Sequence, residues 1–484
     1  MKFARHLAGY LPVNLASALA SFGGVYVFTR LLGADDYGRY ALMFSVMALI
    51  HTATLAPAEA AAYRFTAAAE AKGETADHFA TVRSLLLRSL VASALCMALL
   101  ALIVSGMPDY LRLVPWIAVL LPLGTILQTA LEAHKASQQV SRYAMVASFN
   151  LLGGFLIGAL IAWQTDAGAA APFIGIATAG FLLCAAELPW LLSRAKGGLS
   201  DTQRRRIYLA YGLPIAAALS LDLLLSAADR LLIALFMGEA AVGAYAAGYG
   251  VADKTVLLLC AWAAMAGAPL VMAAYEGEGK AAAALEARSL ISFILLLGLP
   301  AATGLALVAE PLAEAMIGED LRAGATQIIP WIAFAGLMNG LLIHYFSEAF
   351  QLAKKTAERA LLMSVPVVVN IAANLVLIPR FGLLGAVAST VAAYAVGIIL
   401  LGVRGRRYVA LPMPWMDAGR VALACLAMWP VVMLVPQFGS WIELLAKALA
   451  GGLTYIAVAW ALDAGGARSF VQDSRRASSQ PGAS

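Results

Sequence analysis

Charge is scarce in this chain. Asp, Glu, Lys and Arg make up 13% of its residues against 62% hydrophobic ones, and mean hydropathy is +0.83, a balance that water-soluble domains do not carry. Cysteine is scarcer still: Cys96, Cys184, Cys260 and Cys425 all fall inside apolar runs, where they read as small packing residues and imply no disulfide framework. The five histidines, His6, His51, His78, His134 and His344, lack metal-ligand spacing, and no glycine-rich loop is placed to cradle ATP phosphates. Short segments alternating apolar and polar residues, which a transmembrane barrel needs, are missing too. The chain therefore reads as neither a metalloenzyme nor an ATPase nor a barrel, and no metal or cofactor is expected.

What is present is a succession of apolar runs, each long enough for a helix to cross the hydrocarbon core. They lie at 7–32, 37–63, 82–106, 111–134, 140–164, 170–193, 208–236, 240–274, 288–309, 325–350, 358–378, 383–403, 417–436 and 441–462. The expected fold is an all-α polytopic membrane protein of about 14 transmembrane helices. The first run is too long for a cleavable signal and contains Asn14, so it is expected to stay as an anchor. Lys and Arg crowd into alternate loops, while the opposite loops hold only Arg30, Arg39, Arg112, Arg322, Arg380 and Lys447. That bias puts both termini in the cytoplasm. It also accounts, with anionic headgroups, for the net charge of +5 without a nucleic-acid partner.

The chain also repeats itself. Pro-Trp-Ile-Ala occurs at Pro115 and at Pro330; "GADDYGRYA" from Gly33 is echoed by "GEAAVGAYA" from Gly238; Leu11-Pro12 is echoed by Leu213-Pro214, and Asn150 by Asn370. Four landmarks in one order at nearly one offset indicate duplication. Six helices per copy is even, so both copies enter the membrane from the same side, as parallel repeats. The expected organisation is a six-helix bundle at 1–193, a basic cytoplasmic linker at 194–207, a second bundle at 208–403, two further helices at 404–462 and a disordered tail at 463–484. Rocking of the halves would open each side in turn, with Gly33–Gly38 and Gly238–Gly243 as tight outer turns.

The stretches "TRLLGADDYGRYAL", "SAADRLLIALFMGEAAVGAYAAGY" and "NIAANLVLIPRFGLLGAVAST" resemble the O-antigen-like polysaccharide flippases, the Wzx-type branch of the multidrug/oligosaccharidyl-lipid/polysaccharide exporter superfamily. The resemblance implies a non-enzymatic, multi-pass transporter of a bacterial inner membrane. Such a protein moves lipid-linked oligosaccharide from the cytoplasmic to the outer leaflet. Implied partners are that substrate, membrane lipids and other polysaccharide-assembly proteins, with the chain acting as a monomer.

A polyprenyl-diphosphate sugar drags negative charge through hydrocarbon unless cations line its path. The candidates are Arg230 and Lys254 within spans, and Arg64 and Arg30 at span ends, with Tyr245 and Tyr249 as faces for sugar rings. Arg230 and Lys254 equally read as counter-ions inside the bundle, and Arg30 and Arg64 as residues snorkelling to headgroups. Asp222, Ser226 and Asp229 share one helix face. His344 and Glu348 stand at i, i+4, and the carboxylates of Asp222, Asp229, Asp253 and Glu348, with the His344 imidazole, read either as sites for a driving proton or sodium ion or as plain counter-ions. Glu59 reads as a partner of Arg64. The neighbouring pairs Asp229-Arg230 and Asp253-Lys254 cannot face each other on a helix, so their partners must come from other helices. A cation-expelling multidrug antiporter and a membrane glycan polymerase or ligase are the competing functions. The latter would need a large external loop, whereas the longest external connection here, 309–325, is short and acidic.

Overall fold

The computed structural model describes residues 2–466 and 468; most of the expected tail, 463–484, lies outside the described residues. Among the described residues the ordered elements are helices, with no strand. Thirteen are long and apolar enough to cross a membrane, and a pair of helices meeting at a 53° bend makes a fourteenth crossing. The chain divides into two compact units, 1–246 and 247–484.

The first unit holds α1 (Lys2–Leu31), α2 (Ala34–Thr54), α3 (Ala56–Lys72), α4 (Thr75–Ile103), the one-turn α5 (Pro108–Leu111), α6 (Val114–Ala136), α7 (Val140–Gln164), α8 (Ala171–Arg194) and α9 (Thr202–Met237). It also holds the first residues of α10 (Glu239–Glu278). Helix α4 leaves Leu87, Val91, Leu95, Leu99 and Leu102 exposed along one stripe, Leu102 at 71%. Such a stripe belongs against lipid tails. The small-residue spacing Gly154-x-x-x-Gly158 does what its composition suggests. Cβ atoms there would lie 3.2 Å from the Ile176 Cα and 3.1 Å from the Pro172 Cα, so α7 and α8 pack backbone to backbone.

The sequence suggests one uninterrupted helix over 37–63. The structure instead breaks at Leu55, between α2 and α3. Pro57 sits in the first turn of α3, where its missing N–H costs nothing, so it starts a new helix at a new angle.

Helix α9 packs on α2, α3 and α4, with Gly212 directly against the backbone of Pro57. The basic linker is held rather than loose. The Leu199 N–H donates to Asp77 Oδ1 at 2.8 Å, Arg204 pairs with Glu74 at 2.8 Å, and Arg194 pairs with Glu70. Asp201 caps α9, accepting from the Gln203 and Arg204 N–H groups at 3.2 and 2.8 Å. Contacts therefore divide the chain inside α10, while the sequence repeat divides it at 194–207.

The second unit continues α10 and adds α11 (Lys280–Leu307), α12 (Ala309–Met316), α13 (Glu319–Leu341), a π turn (Leu342–Phe346), α14 (Glu348–Leu352), α15 (Thr356–Phe381), α16 (Leu383–Gly405), α17 (Trp415–Met433) and α18 (Ser440–Ala461). The 309–325 connection is not simply a solvated acidic loop. Helix α12 buries Pro311, Leu312, Ala313 and Ala315 and packs on α13 and α18, turning Glu310 outward. The two C-terminal helices rest on α11: Tyr455 donates to the Leu296 carbonyl at 2.7 Å, beside Val421, Cys425, Met428 and Ala459.

Candidate functional site

In the first unit, α9 presents Asp222, Ser226, Asp229 and Arg230. Asp229 is fully buried and accepts a 2.7 Å hydrogen bond from the hydroxyl of Tyr245, itself fully buried on α10. Arg230 is half-buried and reaches across to α2, where its Nη1 donates to Ser45 Oγ at 2.7 Å. Its charge also acts on the phenols of Tyr37 and Tyr40. Neighbours on one helix thus find partners on two different helices, as helical geometry requires. Asp222 is half-buried, and the Ser226 hydroxyl turns back to its own helix at the Leu223 carbonyl, 3.0 Å away.

The span-end cations behave differently. Arg30 is exposed and folds onto its own helix, donating to the Tyr26 carbonyl at 2.9 Å with the guanidinium 4.0 Å over the Tyr26 ring. Arg64 is exposed on α3. Glu59 is not its partner: five residues apart on α3, the two do not share a face, and Glu59 meets His51 and Thr125 instead. His51 Nε2 lies 3.1 and 3.2 Å from the two Glu59 oxygens, and Thr125 Oγ1 donates to Oε1 at 2.8 Å.

The first turns of α2 and α10 meet. A Cβ on Gly38 would collide with the Glu239 carbonyl and sit 3.1 Å from the Gly243 nitrogen. Beside this contact Tyr110 donates to Glu239 at 3.1 Å, and Arg39 bridges Asp36 and Asp109 at 3.1 and 3.2 Å. Gly238 holds φ +85, a value that L side chains rarely adopt, and so allows the sharp reversal from α9 into α10.

Sequence reasoning missed a buried charged cluster joining α6, α7 and α8. Glu187 is 2% exposed; it bonds His134 Nε2 at 2.9 Å through one oxygen and Arg142 Nη2 at 3.0 Å through the other. His134 is tied at its second nitrogen to Gln139, at 3.1 Å. The sequence offers no short spacing that would find these contacts, because the partners come from three separate helices.

In the second unit, Asp253 is buried against Gly336, whose Cβ would lie 3.3 Å from Oδ1, and Gly340 packs against Cys260 Sγ. Gly336-x-x-x-Gly340 is thus a close-packing device for α10 on α13. Lys254, the neighbour of the buried Asp253, is exposed on α10. The buried hydroxyls of Tyr249 and Tyr394 lie 3.4 Å apart. Asn370, Asn374, Ser389 and Thr390 are all fully buried on α15 and α16, with Asn374 donating to Asn370 at 3.1 Å. His344 and Glu348 do not share the expected i,i+4 register. The π turn over 342–346 places an extra residue in that turn, and Glu348 is met by Gln351 Nε2 at 3.4 Å instead. Glu358 pairs with Arg404 at 2.6 Å and accepts from Tyr408.

Residues 27–323 match the model of a family described as polysaccharide biosynthesis protein. The chain belongs to that family. No curated protein matches it. Among solved structures, this polysaccharide biosynthesis protein is similar to the lipid II flippase MurJ in an inward closed conformation, at 13% identity over 96% of this chain and 100% of that one, with a TM-score of 0.74. It is also similar to an inward-facing multidrug-resistance MATE transporter of the MOP superfamily, at 15% identity over 81% of this chain and 94% of that one, TM-score 0.61. A eukaryotic MATE transporter, AtDTX14, follows at 12% identity over 86% and 99%, TM-score 0.53. At such identities the likeness carries the fold alone. The expected family and the all-helical polytopic architecture are both found.

Proposed function

We propose that this protein flips a polyprenyl-diphosphate-linked oligosaccharide from the cytoplasmic to the outer leaflet of a bacterial inner membrane. It acts without catalysis, by alternating access driven by an ion gradient, and serves surface polysaccharide synthesis with both termini in the cytoplasm. The observation that carries this reading is Arg230: a guanidinium within a span, half-buried between α9 and α2, that donates to the Ser45 hydroxyl at 2.7 Å. A diphosphate oxygen is a stronger acceptor than a serine hydroxyl, because charge-assisted bonds are shorter and roughly twice as strong. Substrate would take over the bond to Ser45 and gain Tyr37 and Tyr40 as further donors. Asp229, held by Tyr245, keeps the local charge near balance when the site is empty.

Flipping of polyprenyl-diphosphate oligosaccharide in liposomes, measured beside abundance and thermal stability, tests this. Arg230→Gln should lose flipping while retaining the fold. Arg230→Lys should recover only part, since Lys cannot engage phosphate oxygens in the two-pronged manner of Arg. Lys254→Gln, at an exposed position, should have the smaller effect. Normal flipping by Arg230→Gln refutes the assignment. Flux of cationic drugs with no flipping would favour the antiporter, and a covalent glycan product a polymerase or ligase.

A further inference from the structure

Within the first unit a cavity of about 250 Å³ lies among α2, α6, α7 and α8. Its walls are mostly apolar, from Met47, Leu120, Leu127 and Ile176, but three polar side chains reach it: His51, Thr52 and Asn150. The Asn150 side-chain oxygen is buried with no hydrogen-bond partner. Behind His51 stands Glu59, 6% exposed, bonded through both oxygens to the imidazole and through Oε1 to Thr125. Gly124 leaves the room: its absent Cβ would be 3.8 Å from His51 Nδ1 and Cε1, and a larger residue would press on the ring. A carboxylate, an imidazole and an unsatisfied amide oxygen around an apolar hollow are more than packing needs, since buried polar groups normally find partners.

We propose that His51 and Glu59 form a proton-binding site opening on this cavity, taking up one proton when the cavity is dry and releasing it when water enters. With Nε2–H donated to the carboxylate, the free Nδ1 lone pair takes a proton from hydronium as the cavity empties, and the water left behind departs. The pair then passes from net charge −1 to a neutral imidazolium–carboxylate couple. A net charge in a dry apolar pocket is expensive, and a neutral pair much less so. Drying therefore favours the bound proton and hydration its release, which ties protonation to a change in cavity access. Of the elements around His51, α3 brings the charged Glu59, while α6, α7 and α8 bring Thr125, Asn150, Ile176 and Gly180, none of which titrates. The site rests on the transport reading above and supplies its driving ion, from residues other than Asp222, Asp229 and Asp253.

The experiment uses the full chain in liposomes, labelled with ¹⁵N-histidine. The His51 signal, identified by its loss in His51→Gln, should pass from singly to doubly protonated imidazole between about pH 5 and 8. Thr125→Val should shift that transition, and Glu59→Gln should shift it further toward acid. A pH gradient across the liposome should stimulate flipping several-fold in wild type and leave His51→Gln unresponsive. If Glu59→Gln does not accumulate, the wild-type titration and Thr125→Val decide. An imidazole that does not titrate, or a gradient response unchanged in His51→Gln, overturns the proposal and leaves the flipping reading standing. A titrating His51 in a protein that flips nothing keeps the proton site and refutes the flipping.

Discussion

At the residue scale, partners matter more than positions. Glu187 and Glu358 are both acidic groups on helices that pair with a partly exposed arginine, at 37% for Arg142 and 41% for Arg404, but Glu187 is itself 3% exposed and also holds the fully buried His134, whereas Glu358 is 23% exposed. Removing Glu187 strands the buried His134 imidazole, and an orphaned buried polar group costs about 1–3 kcal/mol, whereas exposed pairs contribute little. Glu187→Ala, which leaves His134 and Arg142 facing a void, should therefore lower the unfolding temperature sharply, and Glu358→Ala only slightly. Scanning fluorimetry of both variants in one detergent would check the contrast, and equal losses would contradict it. None of this contrast is legible in the sequence, because burial and partner identity both come from tertiary packing. Legible instead was the rule that Asp229 and Arg230 must look to other helices, and Tyr245 and Ser45 satisfy it.

At the element scale, spans were legible because about 20 apolar residues leave few alternatives, while breaks within spans were not. Pro57 redirects the chain between α2 and α3 and so brings His51 to Glu59, while the π turn over 342–346 shifts Glu348 from its register with His344. The turns that open α2 and α10 were readable as glycine spacing, and their contact at Gly38 adds a consequence. If α2 and α10 separate at these turns during transport, a thiol crosslink between cysteines placed in the two turns should stop flipping, and reduction should restore it. Unchanged flux through a confirmed crosslink would exclude such separation. The start of α9 gives a pH-dependent case. Bonds from the Arg204 and Gln203 N–H groups hold the Asp201 carboxyl below its ordinary range. A depressed carboxylate supports the fold above its unfolded value and loses that support as pH falls through the folded one. Hydrogen exchange at residues 202–205 should therefore speed up on acidification. Asp201→Asn, which caps without ionising, should remove the pH dependence.

At the scale of the whole molecule, two divisions of the chain compete, and both have a physical basis. The repeat is supported by a charge-reversed pair: Arg142 with Glu187 joins α7 to α8, and Glu358 with Arg404 joins α15 to α16, at positions separated by nearly the same offset as Pro115 and Pro330. Duplicated helix pairs can exchange the signs of such a bridge without altering its geometry. Packing nevertheless assigns α9 to the first unit. Tyr208 stacks on Phe65 with ring centroids 4.5 Å apart, lies against Ala58, Ala61 and Val82, and bonds the buried His78 Nδ1 at 2.6 Å. A fragment ending at 193 loses all of this. It leaves His78 with only the Thr66 bond, at 3.0 Å, and an orphaned buried polar group costs about 1–3 kcal/mol before lost packing is counted. A fragment ending at 246 keeps these contacts, together with Asp229–Tyr245 and Arg230–Ser45. Expressed alone, residues 1–246 should accumulate in membranes and resist protease, while residues 1–193 should be degraded. Tyr208→Ala in the longer fragment should move it toward the behaviour of the shorter one. Equal survival of both fragments would mean that the six-helix repeat, and not the packing of α9, is the folding unit.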